Sequence, residues 1–210
     1  MIVQKFVNAK AFSCNLYILS GEKGNILIDP GYYDESIHNY IVKIGGISSI
    51  LITHGHFDHI MGINDLIKDF PSCKVYIFAL EERLFFKPSL NCSSFISNPY
   101  IPSCPIEPLQ EGKYQIEGYQ VEVIYTPGHT KDSVSYYFKE DNILFDGDFV
   151  FCLGIGRCDL DDGDYKEMMR SIEKIKKYPK DMIICPGHGN HTTLEYEMER
   201  SLYFKRGNNE

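Results

Sequence analysis

The chain has 210 residues, 43% of them apolar, and a formal net charge of -8. That length supports one globular domain over residues 1–210 rather than two comfortable ones, and the acidic balance excludes the positive field that gathers nucleic acid or anionic lipid. No apolar run approaches the ~18 residues of a membrane span, so small molecules are the expected partners, and the composition leaves a homo-oligomer open.

Taken in chain order, Ile2 to Val7, Asn15 to Leu19 and Asn25 to Ile28 read as an antiparallel start, with Gly21 to Gly24 as a hairpin loop. The first of these alternates like a strand and lacks the basic-then-apolar layout of a secretion signal. Asp34 is placed to cap a helix reaching about Ile44, Ile47 to Ile52 has the continuous apolar character of a buried strand, and Ile60 to Phe70 predicts a second helix. Lys74 to Ala79 follows as a strand. Lys87 to Pro108 then breaks the rhythm, holding five of the ten prolines with no clear period. Leu90, Phe95, Ile96, Tyr100 and Ile101 within it suggest an ordered lid, or equally a surface insertion packed by its own side chains.

Further strands are predicted at Gln120 to Tyr125, Val134 to Phe138, Ile143 to Phe145 and Met182 to Cys185. Asp164-x-x-Glu167 has the form of a capping box opening a helix to about Lys177. Thr192-x-x-Glu195 has the same form, ahead of a terminal helix with Leu194, Met198 and Leu202 at helical spacing. Seven cysteines, odd in number, scattered and never C-x-x-C, speak against a disulfide framework or zinc ribbon and for the reduced thiols of a cytoplasmic protein.

Five of the seven histidines fall in three glycine-punctuated clusters: Thr53-His54-Gly55-His56-Phe57-Asp58-His59, Thr126-Pro127-Gly128-His129-Thr130 and Pro186-Gly187-His188-Gly189. Phe145-Asp146-Gly147-Asp148 adds a carboxylate. Imidazole and carboxylate suit zinc and iron, and so many of them on turns are hard to explain as packing. Each candidate ligand lies just beyond the C-terminal end of a predicted strand, where loops converge without distorting a core. Alternation every second residue throws His54, His56 and Asp58 to one side, with His59 opening a helix. Seven ligands exceed one tetrahedral ion, which makes two ions the natural count.

The H-x-H-x-D-H motif, the later G-H, the G-D and the final G-H, with Leu27-Ile28-Asp29-Pro30-Gly31 upstream, resemble the metallo-β-lactamase superfamily and in particular its small glyoxalase II-like hydrolases. The resemblance implies an α/β fold of four αββα layers, with mixed sheets flanked by helices. It implies that His54, His56 and His129 hold one divalent metal ion, that Asp58, His59 and His188 hold the other, and that Asp148 bridges them. Zinc is the implied metal and iron the alternative. It further implies cleavage of a thioester such as a hydroxyacylglutathione-like compound by a metal-bound hydroxide. Asp58 would double as the catalytic residue that orients the water or relays its proton.

Asp29 and Thr53 are expected to orient the histidines, although the first could merely cap a turn and the second merely end a strand. Gly154-Ile155-Gly156-Arg157-Cys158-Asp159 looks like a stretch shared by the short glyoxalase II-like hydrolases and the persulfide dioxygenases. Arg157 could bind a substrate carboxylate or brace the loop through Asp159. The dioxygenases hold one iron through positions matching His54, His129 and Asp148, so ligand identity alone does not separate the two activities. A non-catalytic metal-binding module is the third reading, and nothing in the motifs recommends it. Full-length glyoxalase II meets glutathione through basic residues of a helical extension, whereas Arg200, Lys205 and Arg206 are the basic residues after His188 here, so a thioester of glutathione itself is not the expected natural substrate. His38 and His191 read as surface or capping histidines, and Tyr136, Tyr137 and Phe138 as strand packing.

Overall fold

Apolar runs bounded by glycine and proline set the strands of two mixed sheets, each flanked by helices, in an α/β architecture. The computed structural model describes residues 1–7, 12 and 14–205. It divides into two compact units, one of Met1–Gln110 with Gln115–Tyr119 and one of Glu111–Tyr114 with Gln120–Glu210.

The sheet of the first unit runs β1 (Ile2–Val7), β2 (Asn15–Ser20), β3 (Ile26–Ile28), β4 (Ser49–Ile52), β5 (Lys74–Phe78) and β6 (Glu107–Leu109), in that spatial order. The first three strands are antiparallel, as read from the sequence, and β3 to β6 are parallel. Parallel neighbours require crossovers, and α1 (Glu35–Lys43), α2 (Phe57–Ile60), α3 (Ile63–Asp69) and α4 (Glu82–Phe85) occupy them. The carboxylate of Asp34 caps α1 by accepting from the N–H groups of Ser36 and Ile37. Beyond its end Gly45 and Gly46 take positive φ, and the side chain of Asn25 donates to the carbonyls of Ile44 and Gly46. Ile37 and Ile41, one turn apart, pack with Ile63 and Leu66 onto Leu16, Ile18, Leu27, Ile50 and Ile77.

The helix predicted over Ile60 to Phe70 is in fact two. The N–H of Gly62 leaves the helical ladder to donate to the carbonyl of Pro30 at 2.7 Å. A Cβ at that glycine would stand 2.7 Å from the Tyr32 carbonyl oxygen, so the break is where two backbones meet.

The proline-rich stretch is packed onto these helices. Asn91 and Ser93 are buried, and the carbonyl of Asn91 accepts from the N–H of Phe57. The Tyr100 hydroxyl accepts from the N–H of Asn64, and the side chain of Asn64 bonds the backbone at Ile101 and Ser103. Tyr100, Cys104 and Ile106 join the unit's core, leaving Phe95 as a protruding tip, 83% exposed. These anchors hold the stretch in order against the first unit's core.

The other six-stranded sheet runs β14 (Thr192–Thr193), β13 (Ile183–Pro186), β10 (Ile143–Gly147), β9 (Val134–Phe138), β8 (Tyr119–Tyr125) and β7 (Gly112–Ile116). A short hairpin, β11 (Val150–Phe151) and β12 (Gly154–Ile155), follows β10. Asp164 caps α5 (Tyr165–Ile175) as predicted, but its own N–H donates to Gly128, and Glu167 pairs with Arg170 instead of closing the box. Met168, Ile172 and Ile175 of α5 pack with Ile124, Tyr137, Leu144 and Ile184.

The terminal helix departs further from expectation. Thr193 rather than Thr192 caps α6 (Leu194–Arg200), and extended Ser201 separates it from α7 (Leu202–Lys205). Leu202 is 68% exposed and outside the core, and Arg206 lies outside the described residues. Truncating the fully buried Ile172 to alanine is expected to cost about 2–5 kcal/mol of stability, read from urea unfolding at constant slope.

Candidate metal centre

In the first unit the donors follow directly from the end of β4. His54, His56 and His59 are 1%, 5% and 0% exposed, a degree of burial that imidazoles accept only with defined partners. His56 occupies the N-cap position of α2, and Asp58 and His59 sit in its first turn. Asp58 is therefore presented by a helix rather than by strand alternation. Ligand atoms of His54 and His56, of His54 and His59, and of Asp58 and His59 lie within 4.8 Å of one another. Gly55 permits the turn: its N–H donates to the buried carboxylate of Glu81 at 2.8 Å, and a Cβ there would stand 2.8 Å from that of Leu84.

Asp29 organises this cluster. It is buried and held at φ 50, a left-handed conformation that aspartate tolerates better than most residues. Its Oδ1 accepts from the N–H of Thr53, and its Oδ2 accepts from the Thr53 hydroxyl at 2.7 Å and from His59 Nδ1 at 3.0 Å. Because the Thr53 hydroxyl gives its proton to Asp29, its oxygen is left to accept from His54 Nδ1, 3.1 Å away. Both rings thus carry their proton on Nδ1 and their lone pair on Nε2, the form in which an imidazole binds a metal. The orienting roles expected of Asp29 and Thr53 match these bonds.

The second unit repeats the device with a different acceptor. His129 donates from Nδ1 to the carbonyl of Arg157 at 2.8 Å, which again puts the lone pair on Nε2. Asp148, just past the end of β10, has Oδ2 3.5 Å from His129 Nε2 and Oδ1 3.5 Å from His188 Nε2. Those separations lie outside the usual N–H···O range, whereas two donors at zinc bond lengths around one tetrahedral ion stand about 3.3 Å apart. One carboxylate therefore has an imidazole nitrogen at metal-sharing distance from each oxygen.

Two glycines seat the carboxylate donors. A Cβ at Gly31 would fall 1.7 Å from the carbonyl oxygen of Asp58, and one at Gly156 would fall 1.8 Å from that of Asp148. Arg157 is engaged by Asp159 in a two-pronged pair of 2.7 and 2.9 Å. That bond to Arg157 holds the carboxyl of Asp159 below the usual carboxylate range. His38 sits at the surface with Tyr33 and Asp69, away from the donor clusters.

The donor set fits divalent zinc or iron by chemistry, with neutral imidazoles and carboxylates and no thiolate in it. A model of the metallo-beta-lactamase superfamily matches residues 9–188. The chain belongs to that superfamily. It is 34% identical over 193 residues to a probable metallo-hydrolase, YqgX, of Bacillus subtilis, covering 90% of this chain and 91% of the relative. It is 31% identical over 205 residues to the hydroxyacylglutathione hydrolase GloC of Haemophilus influenzae, covering 91% and 92%. Among solved structures, the BLEG-1 B3 metallo-beta-lactamase superposes with a TM-score of 0.90 at 32% identity, over 97% of this chain and all of that one. As a superfamily member the chain is a metal-dependent hydrolase of the metallo-β-lactamase fold.

Among the buried carboxylates of this superfamily member that the sequence did not single out, two support site-bearing loops. Glu81 supports Gly55, as described above. Glu197, fully buried in α6, accepts from the N–H of Leu153 through both oxygens, at 3.1 and 3.0 Å, and from the Thr192 hydroxyl at 2.6 Å. It clamps the tip of the β11–β12 hairpin, where Leu153 sits at φ 61, while Phe151 of the same hairpin meets His188 edge-on at 6.0 Å. Neither carboxylate carried an advance signal, since each stands among exposed charged neighbours, Glu82 and Arg83 beside the first and Glu195 and Glu199 beside the second.

Replacing Asp29 by asparagine is expected to lower metal affinity about 10–100-fold, because an NH2 then replaces one of the two accepting oxygens and faces either the Thr53 N–H or the Thr53 hydroxyl and His59 Nδ1, donor against donor. Competition against a chelator of known affinity checks it, and an affinity within twofold of the parent would show that the acceptor role is dispensable. Glu197→Ala, which strands buried donors, is expected to cost about 1–3 kcal/mol in urea unfolding.

Proposed function

We propose that the chain is a dinuclear thioester hydrolase in which His54, His56 and His129 hold one divalent ion, Asp58, His59 and His188 hold the other, and Asp148 serves both. The observation that carries this reading is the Asp148 carboxylate, whose two oxygens each have a different imidazole Nε2 at 3.5 Å. A terminal ligand of a single ion needs only one such neighbour. Zinc is the proposed metal, since neutral imidazole and carboxylate suit it and no redox step is required. Divalent ions so held would supply a water deprotonated near neutral pH and an electrophile for the thioester carbonyl.

The chain's own groups then have defined tasks. Asp29, Thr53 and the Arg157 carbonyl keep His54, His59 and His129 in the tautomer that offers Nε2. Asp58 is half-buried and lines an open cavity, so its carboxylate can orient a water molecule or take its proton. The similarity to a hydroxyacylglutathione hydrolase supports the thioester as the bond cleaved. The net charge of -8 supports a small-molecule substrate rather than nucleic acid, and the seven cysteines, none joined in a disulfide, support a cytoplasmic setting. Among the described residues no helix is long and apolar enough to cross a membrane.

The test is a paired assay on metal-defined protein. About two zinc ions per chain and thioester cleavage abolished by chelation and restored by zinc are the expected outcome. His54→Ala and His56→Ala should each lower kcat/KM by at least about 100-fold, as removal of a metal ligand does when the ion supplies the activated water. One iron per chain with persulfide-dependent oxygen uptake, harmed by His54→Ala and little by His56→Ala, would replace this reading with the mononuclear dioxygenase.

A further inference from the structure

A cavity of about 230 Å³ opens beside Asp58, and its walls do not match the polar thiol half of the common cellular thioesters. Phe12, Tyr32 and Met61 form its apolar side, with Asp58 and Asp65 as its charged groups. Among the described residues that line it there is no lysine or arginine. Phe12 and Met61 are 55% and 36% exposed, so two large apolar side chains stand open to solvent at one opening next to a candidate metal ligand. Clustered exposure of this kind costs solubility and marks surface used for binding. The Phe12 ring also meets Phe57, the residue before Asp58, edge-on at 4.7 Å.

We infer that this cavity receives the acyl chain of the substrate, and that the chain it accepts is uncharged and apolar. The inference rests on the thioester reading above and narrows its substrate class. A thioester has two halves, and the thiol halves abundant in cells carry carboxylates or phosphates, which Asp65 repels. The acyl half alone can be both apolar and neutral. At about 30 Å³ per water-sized group the cavity holds about seven or eight heavy atoms, which sets an upper length near that of a hexanoyl chain. Each methylene buried there contributes about threefold to fourfold in kcat/KM.

The experiment uses the zinc-loaded full chain and a series of acyl thioesters of one small neutral thiol, N-acetylcysteamine: acetyl, butanoyl, hexanoyl and decanoyl, with succinyl as the charged member. The expected result is a rise in kcat/KM of about threefold to fourfold per methylene up to hexanoyl, no further rise at decanoyl, and succinyl at least about tenfold below butanoyl. Met61→Ser and Tyr32→Ala should both flatten the dependence on chain length, whatever they do to absolute rates. Because Tyr32 also packs against the core, the surface change at Met61 keeps the test decisive if the Tyr32 variant fails to fold.

A flat length dependence in the parent, or an unaltered slope in the Met61 variant, overturns the inference while leaving thioester hydrolysis standing. A second readout is independent of turnover. Protein with methyl-labelled methionine is titrated with hexanamide and, separately, with succinamate, and the Met61 methyl resonance, assigned through Met61→Leu, is followed by NMR. If no thioester is cleaved in any metal form, the thioester reading fails and the resonance decides the cavity alone. A shift with hexanamide and none with succinamate supports an apolar, anion-excluding site, and no shift with hexanamide overturns it.

Discussion

A neutral imidazole has one lone pair, and which nitrogen carries it is settled by what the other nitrogen touches. In this protein the buried carboxylate of Asp29 settles it for two rings, for His59 directly and for His54 through the Thr53 hydroxyl. In the second unit a backbone carbonyl, that of Arg157, does the same for His129. Without these acceptors the rings would be ordinary buried histidines, free to turn over or change tautomer, and the motif spacing would have no chemical consequence. Metal affinity in this chain is consequently as much a property of non-ligands as of ligands.

The acceptors can act because each unit brings them to the rim of its own sheet on short, backbone-locked connections. Asp29 leaves β3 and Thr53 leaves β4, and these are parallel neighbours with Ile28 opposite Leu51 in register, so the two residues emerge side by side. Asp148 leaves β10 and His188 follows β13, parallel partners in the second sheet. The cores beneath, one built on Ile37, Ile50 and Leu66 and the other on Leu144, Met168 and Ile172, hold those rims rigid. Polar geometry at the loops is thereby set by apolar packing several residues away.

Much of this was legible in the sequence, and the illegible parts share a cause. Strands such as Val134–Phe138 declare themselves through apolar runs, and α1 through Asp34, because burial and capping are local signals. The gathering of His54, His56, Asp58 and His59 was legible because H-x-H-x-D-H has few other uses. What the sequence did not disclose depends on meetings between distant segments: the break at Gly62 made by Pro30, the shift of a cap from Thr192 to Thr193 once Glu197 claims the first hydroxyl, and the seating of Asn91 on Phe57. Asp58 read as a strand-alternating residue because its presentation depends on a helix of only four residues, too short to show a period. Glu81 was invisible for a similar reason, since its burial is decided by a glycine loop twenty-six positions away.

The seats under Asp58 and Asp148 set how unevenly this chain tolerates change. Gly31 and Gly156 are pressed so closely against those two carbonyls that any side chain there has to push a donor-bearing backbone out of place. At the 83% exposed tip formed by Phe95 a replacement meets mostly solvent, so the periphery can be altered while the loops beneath keep their positions.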